Sequence, residues 1–224
     1  SGVFLYSANS GIASDGAFSA AIDWASTDAD ILNNSYWWSN DGSNPSFYAI
    51  DRHLDFIVRM QHDFVTKSAG NFAATGCPNV TPYVTSPGKG YNVMTVGNYE
   101  DNNSLSWVGD FMHNCSSYGN PTGDGTSYSH EKPEVVAVGS TLTSTTTSTP
   151  WIGDIGTGTS FAAPMVAALG ADLIGADGGL SDKPEVIRSI IMATALHNIE
   201  GDQRLSDKDG VGGIDASAAI AIVE

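Results

Sequence analysis

Short apolar runs alternate with stretches of helical periodicity along most of this chain, and that alternation admits few folds. Residues 3–7 read as a strand, followed by a helix over about 17–26 with Phe18, Ala21, Ile22 and Ala25 on one face. Residues 30–35 read as the next strand, 47–60 as a helix carrying Ile50, Leu54, Ile57 and Val58, and 64–69 as a third strand that ends at Gly70-Asn71. Beyond a polar loop holding Cys77, Pro78, Pro82 and Pro87, strands are expected at 92–97 and 134–138, with a turn-rich stretch, 101–125, between them. The Ser/Thr-rich tract 140–149 reads as a solvated loop. Helices then follow at about 160–176, 184–195 and 216–222.

Strands alternating with helices call for parallel pairing through right-handed crossovers, with helices covering both sheet faces. The expected fold is therefore α/β, a three-layer α/β/α arrangement on a mostly parallel sheet. Ile31-Leu32 and Val135-Val136-Ala137-Val138 suit strands buried on both faces. Functional loops in such sheets gather at the carboxyl ends of the strands, where Ser35, Asn71 and Gly139 fall.

At 224 residues the chain can bury a sizeable core as one domain. Its 25 acidic and 9 basic residues give a formal charge of −16, which argues against nucleic acid and anionic membranes as partners. No apolar run approaches the roughly 18–20 residues of a membrane span. The opening Ser1-Gly2-Val3-Phe4 shows no initiator Met, basic region or cleavage pattern, so no signal peptide is expected and the chain reads as a processed product or a fragment. Cys77 and Cys115 fit one disulfide in an oxidising compartment, or two free buried thiols.

The chemistry of the chain centres on Gly156-Thr157-Gly158-Thr159-Ser160-Phe161-Ala162-Ala163-Pro164, which opens an apolar run reaching Ile174. Ser160 would sit at the start of a buried helix, with Thr159 or Ser160 as its cap and Pro164 in a first turn that tolerates a missing N–H. A serine there has free backbone N–H groups and the positive end of a helix dipole beside it. The same pattern also describes a plain capped core helix. A phosphate-binding loop would need Lys where Thr159 stands; the dinucleotide fingerprint needs a glycine that Phe161 displaces, and an α/β-hydrolase elbow needs Gly where Ala162 stands. Neither of the last two has the strand it needs leading directly into the motif.

Gly158-Thr159-Ser160-Phe161-Ala162-Ala163-Pro164 resembles the Gly-Thr-Ser-x-Ala-x-Pro nucleophile motif of the subtilisin-like serine proteases. Other stretches match in that family's order. Asp30-Ile31-Leu32-Asn33-Asn34-Ser35 resembles the strand ending beside the primary specificity pocket. Ser68-Ala69-Gly70-Asn71 is similar to the segment supplying the oxyanion-hole asparagine. Asn92 to Gly97, Lys132 to Gly139 and Gly210 to Ala216 resemble three further family segments, with Val138 in place of a usual proline. The resemblance implies a subtilisin-like sheet, Ser160 as nucleophile and Asn71 as oxyanion donor. It implies an extended peptide substrate bound near Asn9, Ser10 and Gly11 and near Ser35 and Tyr36, with Ala69, Gly70 and Thr159 in the same site. Tyr36 and Trp37 stand where the family usually has small residues, so the pocket would be restricted or reshaped.

The family's Asp-Thr/Ser-Gly and His-Gly-Thr-His segments, which carry the triad Asp and His, are absent. The chain thus resembles the C-terminal part of a catalytic domain, spanning 1–224 and lacking N-terminal strands. That would leave an open sheet edge for the missing part of the domain or for a second chain. His53, His62, His113, His130 and His197 lack the setting of the family's base and read as surface histidines; Asp51 and Asp63 read as solvated helix faces. No cofactor is required, although the acidic turns 101–110 and 207–210 could bind structural calcium as in relatives; both also read as plain solvated turns. The expectation is a secreted serine endopeptidase, inactive as this chain alone, with a non-catalytic peptide-binding or scaffold domain as the alternative.

Overall fold

The structure is a computed structural model that describes residues 15–36, 44–77, 81–122, 130–196, 199 and 208–224. The expected strand 3–7, the candidate binding residues Asn9, Ser10 and Gly11, Trp37, Trp38, His197 and Asp207 lie outside the described residues. Among the described residues the elements are, in chain order, α1 (Asp15–Ser26), β1 (Ile31–Asn34), α2 (Ala49–Gln61), β2 (Phe64–Ser68), β3 (Met94–Glu100), β4 (Phe111–Met112), β5 (Val135–Val138), β6 (Leu142–Thr145), β7 (Ile152–Gly156), α3 (Thr159–Ala176), a 3₁₀ turn (Gly178–Leu180), α4 (Pro184–Thr194) and α5 (Ala216–Val223).

Strands β1, β2, β3 and β5 pair in parallel, Ile31 opposite Phe64, Thr66 opposite Met94 and Val96 opposite Val135. Within this sheet, among the described residues, the two-residue β4 runs antiparallel, against the far end of β3. Successive residues of β2 point to opposite faces, which is why its whole run is buried. Phe64 joins Val96, Val135, Ala162, Ala163, Val166, Leu169 and Leu173 in a core with α3, α4 and α5. Val65 joins Leu32, Ile22, Ile50, Leu54 and Ile57 in a second core beneath α1 and α2. The result is the expected three-layer α/β/α arrangement.

Several sequence expectations need correction. The tract 140–149 is not simply a loop, because β6 and β7 pair as an antiparallel hairpin, Leu142 opposite Gly156. Leu142, Thr143, Thr145, Ile152 and Ile155 supply the β-branched and aliphatic residues that a ribbon favours. A strand therefore does lead almost directly into the Ser160 helix. α3 is 18 residues of mean hydropathy 1.4, long and apolar enough for a membrane span, but it packs on β1, β2, β3 and β5 as a core helix. Asp51 is fully buried rather than solvated. It accepts from the Tyr48 N–H at 2.9 Å, the Lys89 N–H at 3.0 Å and the Ser86 hydroxyl at 2.6 Å, holding the start of α2 to the 85–90 loop. Asp63 is also buried, and burial together with the charge of Asp30 lifts its carboxyl to about 6. Asp209 is 1% exposed, so the 207–210 turn is not plainly solvated either.

His130 is half-buried between Tyr91 and Phe47, ring centroids 4.4 and 5.7 Å away, and its Nε2–H donates to the Lys89 carbonyl at 2.8 Å. Burial first, then the charge of Lys132, lowers it to about 4. As pH falls, the unfolded chain, with an ordinary value near 6.5, binds this proton before the folded one does. Stability contributed by neutral His130 is thus complete above about pH 6.5 and lost between there and about 4. Urea midpoints at pH 7 and pH 4.5 should separate less in His130→Gln than in the parent; equal separations would show that other groups govern the acid limb.

Candidate functional site

The carboxyl end of β2 meets the amino end of α3, and the contact is made by a short chain of polar groups. Past Ser68 the chain turns through Gly70, whose φ of +117° is one that side-chain-bearing residues rarely adopt. A Cβ there would also lie 2.8 Å from the Thr85 methyl. The turn aims the Gly70 N–H at Thr159 Oγ1, 3.1 Å away, and that hydroxyl donates onward to Asn71 Oδ1, also at 3.1 Å. Asn71 Oδ1 accepts a second bond, from the Thr159 N–H, at 2.9 Å.

This arrangement revises the expected cap. The residue flanking α3 is Gly158, and neither Thr159 nor Ser160 caps the helix with its own side chain. Asn71, 88 residues earlier, supplies the acceptor that a cap residue normally provides. Pro164 likewise lies past the first turn, where its missing N–H leaves the Ser160 carbonyl without the usual i+4 donor.

With Asn71 Oδ1 committed twice to Thr159, its Nδ2 is the end left to face the site. Among the described residues nothing accepts from that Nδ2, which lies 3.2 Å from where a Cβ on Gly158 would be. Ser160 follows Thr159 on the same helical turn and is half-buried. A half-buried hydroxyl at a helix start, beside a fixed amide donor, suits the development of negative charge on a bound oxygen.

A tight backbone crossing supports the helix start from below. The Gly158 N–H donates to the Gly139 carbonyl at 2.8 Å, and a Cβ on Gly139 would stand 2.6 Å from Asn98 Oδ1 and 2.7 Å from the Gly158 carbonyl. Asn98 in turn donates to Ser140 Oγ at 3.0 Å. Asn98 and Ser140 were not foreseen as supports. The available signal was an asparagine inside the otherwise apolar strand Val96 to Tyr99.

The other anticipated site residues sit at the same sheet edge. Ala69 is fully buried, and its carbonyl accepts from the Thr85 N–H at 2.8 Å. Ser35, just past β1, exchanges hydrogen bonds with the Asn33 side chain. Tyr36 donates to Asn34 Oδ1 at 2.8 Å and packs edge-on against Phe18, ring centroids 4.4 Å apart, with Lys67 Nζ 5.8 Å from its ring centre. Burial, and secondarily the charge of Asp51, raises its phenol well above the usual value. Cys77 and Cys115 are joined in a disulfide, Cα atoms 5.6 Å apart, which clips the loop after Asn71 to the segment after β4.

No described imidazole is shown in contact with Ser160. His53 Nε2 lies 2.9 Å from Asp23 Oδ1 without hydrogen-bond geometry, joining α2 to α1 in the outer layer, and its side chain is 21% exposed rather than openly on the surface. His62 is the left-handed residue closing α2, and His113 Nδ1 accepts from the Cys115 N–H at 3.2 Å. Among the described residues no group of three or more His, Cys, Asp and Glu side chains is placed to hold a metal.

Comparison with known proteins bears on the family and the fold. The family model for the subtilase family matches residues 2–212. Among solved structures, the prenylagaramide maturation protease PagA superposes with a TM-score of 0.65 at 18% identity, covering 94% of this chain and 68% of that one. The patellamide maturation protease PatA gives 0.65 at 19% identity, covering 92% and 68%. A protease from Pseudoalteromonas arctica PAMC 21717 gives 0.64 at 22% identity, covering 93% and 58%. At these identities the likeness is one of fold. No curated protein matches the sequence significantly.

Proposed function

Because the chain belongs to the subtilase family, we propose that Ser160 is the nucleophile and Asn71 the side-chain oxyanion donor of a serine endopeptidase, and that residues 1–224 form part of its catalytic domain. The observation that carries this reading is the double hold of Thr159 on Asn71 Oδ1, at 2.9 and 3.1 Å. A structural asparagine has no need to keep its N–H₂ turned from its partners, whereas an oxyanion donor has.

In this reading a peptide lies extended across the carboxyl edge of the sheet. Its main chain pairs near Asn9, Ser10 and Gly11 on one side and near Ser35 and Tyr36 on the other, with Ala69 and Gly70 flanking the scissile bond. Ser160 Oγ attacks the carbonyl carbon as a base takes its proton. The oxyanion is met by the Ser160 N–H and Asn71 Nδ2. The base returns the proton to the departing amine, and water releases the acyl group by the reverse sequence. The base and its carboxylate partner come from a segment outside this chain, so the chain alone is inactive. The Cys77–Cys115 bond supports a secreted protein in an oxidising compartment.

A fluorophosphonate probe tests the assignment. The chain alone should label at background, and labelling should appear when an upstream segment carrying Asp and His is supplied and vanish in Ser160→Ala. Hydrolysis of a peptide ester by the chain alone, lost in Ser160→Ala, would overturn the need for an external base. No labelling under either condition would favour the non-catalytic peptide-binding domain.

A further inference from the structure

Asn71 is held by its side chain from one direction and by its main chain from another, and the second hold belongs to a single residue. The Ser117 N–H donates to the Gly70 carbonyl at 2.9 Å, and the Ser117 hydroxyl oxygen accepts from the Phe72 N–H at 3.3 Å. The Gly70 carbonyl and the Phe72 N–H belong to the two peptide units that meet at the Asn71 Cα. Peptide units are planar, so gripping both of them fixes φ and ψ of Asn71 and with them the direction of its side chain. The hold of Thr159 on Asn71 Oδ1 fixes only where the oxygen end of the amide lies. Where Nδ2 stands relative to Ser160 depends on the main chain as well.

The grip is close, and it is anchored. Ser117 is fully buried, and its Oγ stands 3.0 Å from the place a Cβ on Gly70 would take, an approach that glycine permits. Beyond Phe72, itself buried, the Ala73 N–H donates to the Cys115 carbonyl at 3.2 Å, and the Cys77–Cys115 disulfide follows. The segment carrying Ser117 is in turn fastened to β3. The Asn98 N–H donates to Ser116 Oγ at 2.9 Å, and the His113 N–H donates to the Asn98 carbonyl at 3.0 Å. On its far side the Tyr118 N–H donates to the Pro82 carbonyl at 2.8 Å. Asn98 also supports the start of α3 through Ser140. The main chain of Asn71 and the helix start that carries Ser160 thus take their positions from the same strand.

We propose that Ser117 is a positioning residue for the oxyanion donor. By fixing both peptide units of Asn71 it aims Nδ2 at the carbonyl oxygen that becomes negative when Ser160 attacks. The proposal rests on the assignment of Ser160 and Asn71 made above, and in this role Ser117 acts entirely through Asn71. A donor of this kind works only at hydrogen-bond distance from the oxygen of the transition state. A displacement of about 1 Å is enough to forfeit much of its effect.

A double-mutant cycle on kcat tests this, combining Ser117→Ala and Asn71→Ala in the chain joined to upstream segments carrying the base. Titrating active sites with a fluorophosphonate counts the folded sites, so any loss of folded protein stays out of kcat. Ser117→Ala alone should lower kcat by about 10-fold with KM little changed. In the Asn71→Ala background no side-chain donor is left to aim, and the same change should lower kcat by no more than about 2-fold. An equal loss in both backgrounds would make Ser117 a general support of the fold. No loss beside an intact Asn71 would show that the grip is not needed. Either result overturns the proposal and leaves the assignment of Asn71 standing. If Asn71→Ala itself leaves kcat unchanged, the oxyanion assignment fails and the proposal fails with it.

Discussion

Glu134→Ala should cost about 3–5 kcal/mol of stability, a large share of the roughly 5–15 kcal/mol that holds a domain together. Glu134 is 4% exposed, and both of its oxygens are used. Oε1 accepts from Lys132 Nζ at 2.6 Å and from Arg188 Nη2 at 2.7 Å, while Oε2 accepts from the Thr95 N–H at 2.8 Å. Removing it leaves the fully buried Lys132 ammonium without its counter-charge, the Thr95 N–H without an acceptor, and Arg188 of α4 with its bond to the Tyr91 carbonyl but none to the residue before β5. Burial already pulls Lys132 below its usual value, and the charge of Glu134 is the main opposing influence. Without Glu134 the lysine should give up its proton in the folded state more readily. A depressed lysine makes the folded chain bind fewer protons than the unfolded one, so stability rises with pH toward the ordinary value near 10.4. The loss in Glu134→Ala should therefore be smaller at pH 9.5 than at pH 7. Urea denaturation at the two pH values measures it, and a loss under 1 kcal/mol at pH 7 would mean that the Val93 carbonyl and Thr95 hydroxyl, which also accept from Lys132, suffice alone.

The layers and the parallel strands β1, β2, β3 and β5 were readable because burial imposes a period that shows in the residues themselves. Val135 to Val138 and the α2 face of Ile50, Leu54, Ile57 and Val58 admit few other placements. What escaped was decided by partners distant in sequence. Asp51 looks like a solvated helix residue until the 85–90 loop folds onto it and brings the Ser86 hydroxyl and Lys89 N–H. Its position three residues past Tyr48, at the start of α2, was the local hint. Asp63 is buried beside Ser26, the last residue of α1, 37 positions earlier. The β6–β7 hairpin was hidden by serine and threonine, which suit loops and exposed ribbons alike. At the candidate site, Ser160 and Asn71 were legible through motif resemblance, and Gly70 through its place beside Asn71. The capping of α3 by Asn71 was not, since a cap contributed from 88 residues away leaves no local pattern.

That shared role makes Asn71 the residue whose variants separate folding from catalysis most cleanly. In the chain joined to upstream segments carrying the base, Asn71→Ala should lower kcat by about 10²–10³ with KM little changed, the size of effect seen on removing one such donor from a member of this family. The same variant strips the Thr159 N–H of its acceptor, which should cost about 0.5–2 kcal/mol as the loss of a helix cap does. Asn71→Asp pulls the two effects apart. A carboxylate keeps both bonds from Thr159 and places negative charge at a helix start, where the dipole favours it. Its stability should match or exceed the parent's. Yet the N–H₂ donor is gone and a negative charge faces the forming oxyanion, so its kcat should fall at least as far as that of Asn71→Ala. Unfolding midpoints read the first prediction and single-turnover acylation of Ser160 the second. If Asn71→Asp acylates faster than Asn71→Ala, the asparagine acts by holding α3 in place and the oxyanion is stabilised by other donors.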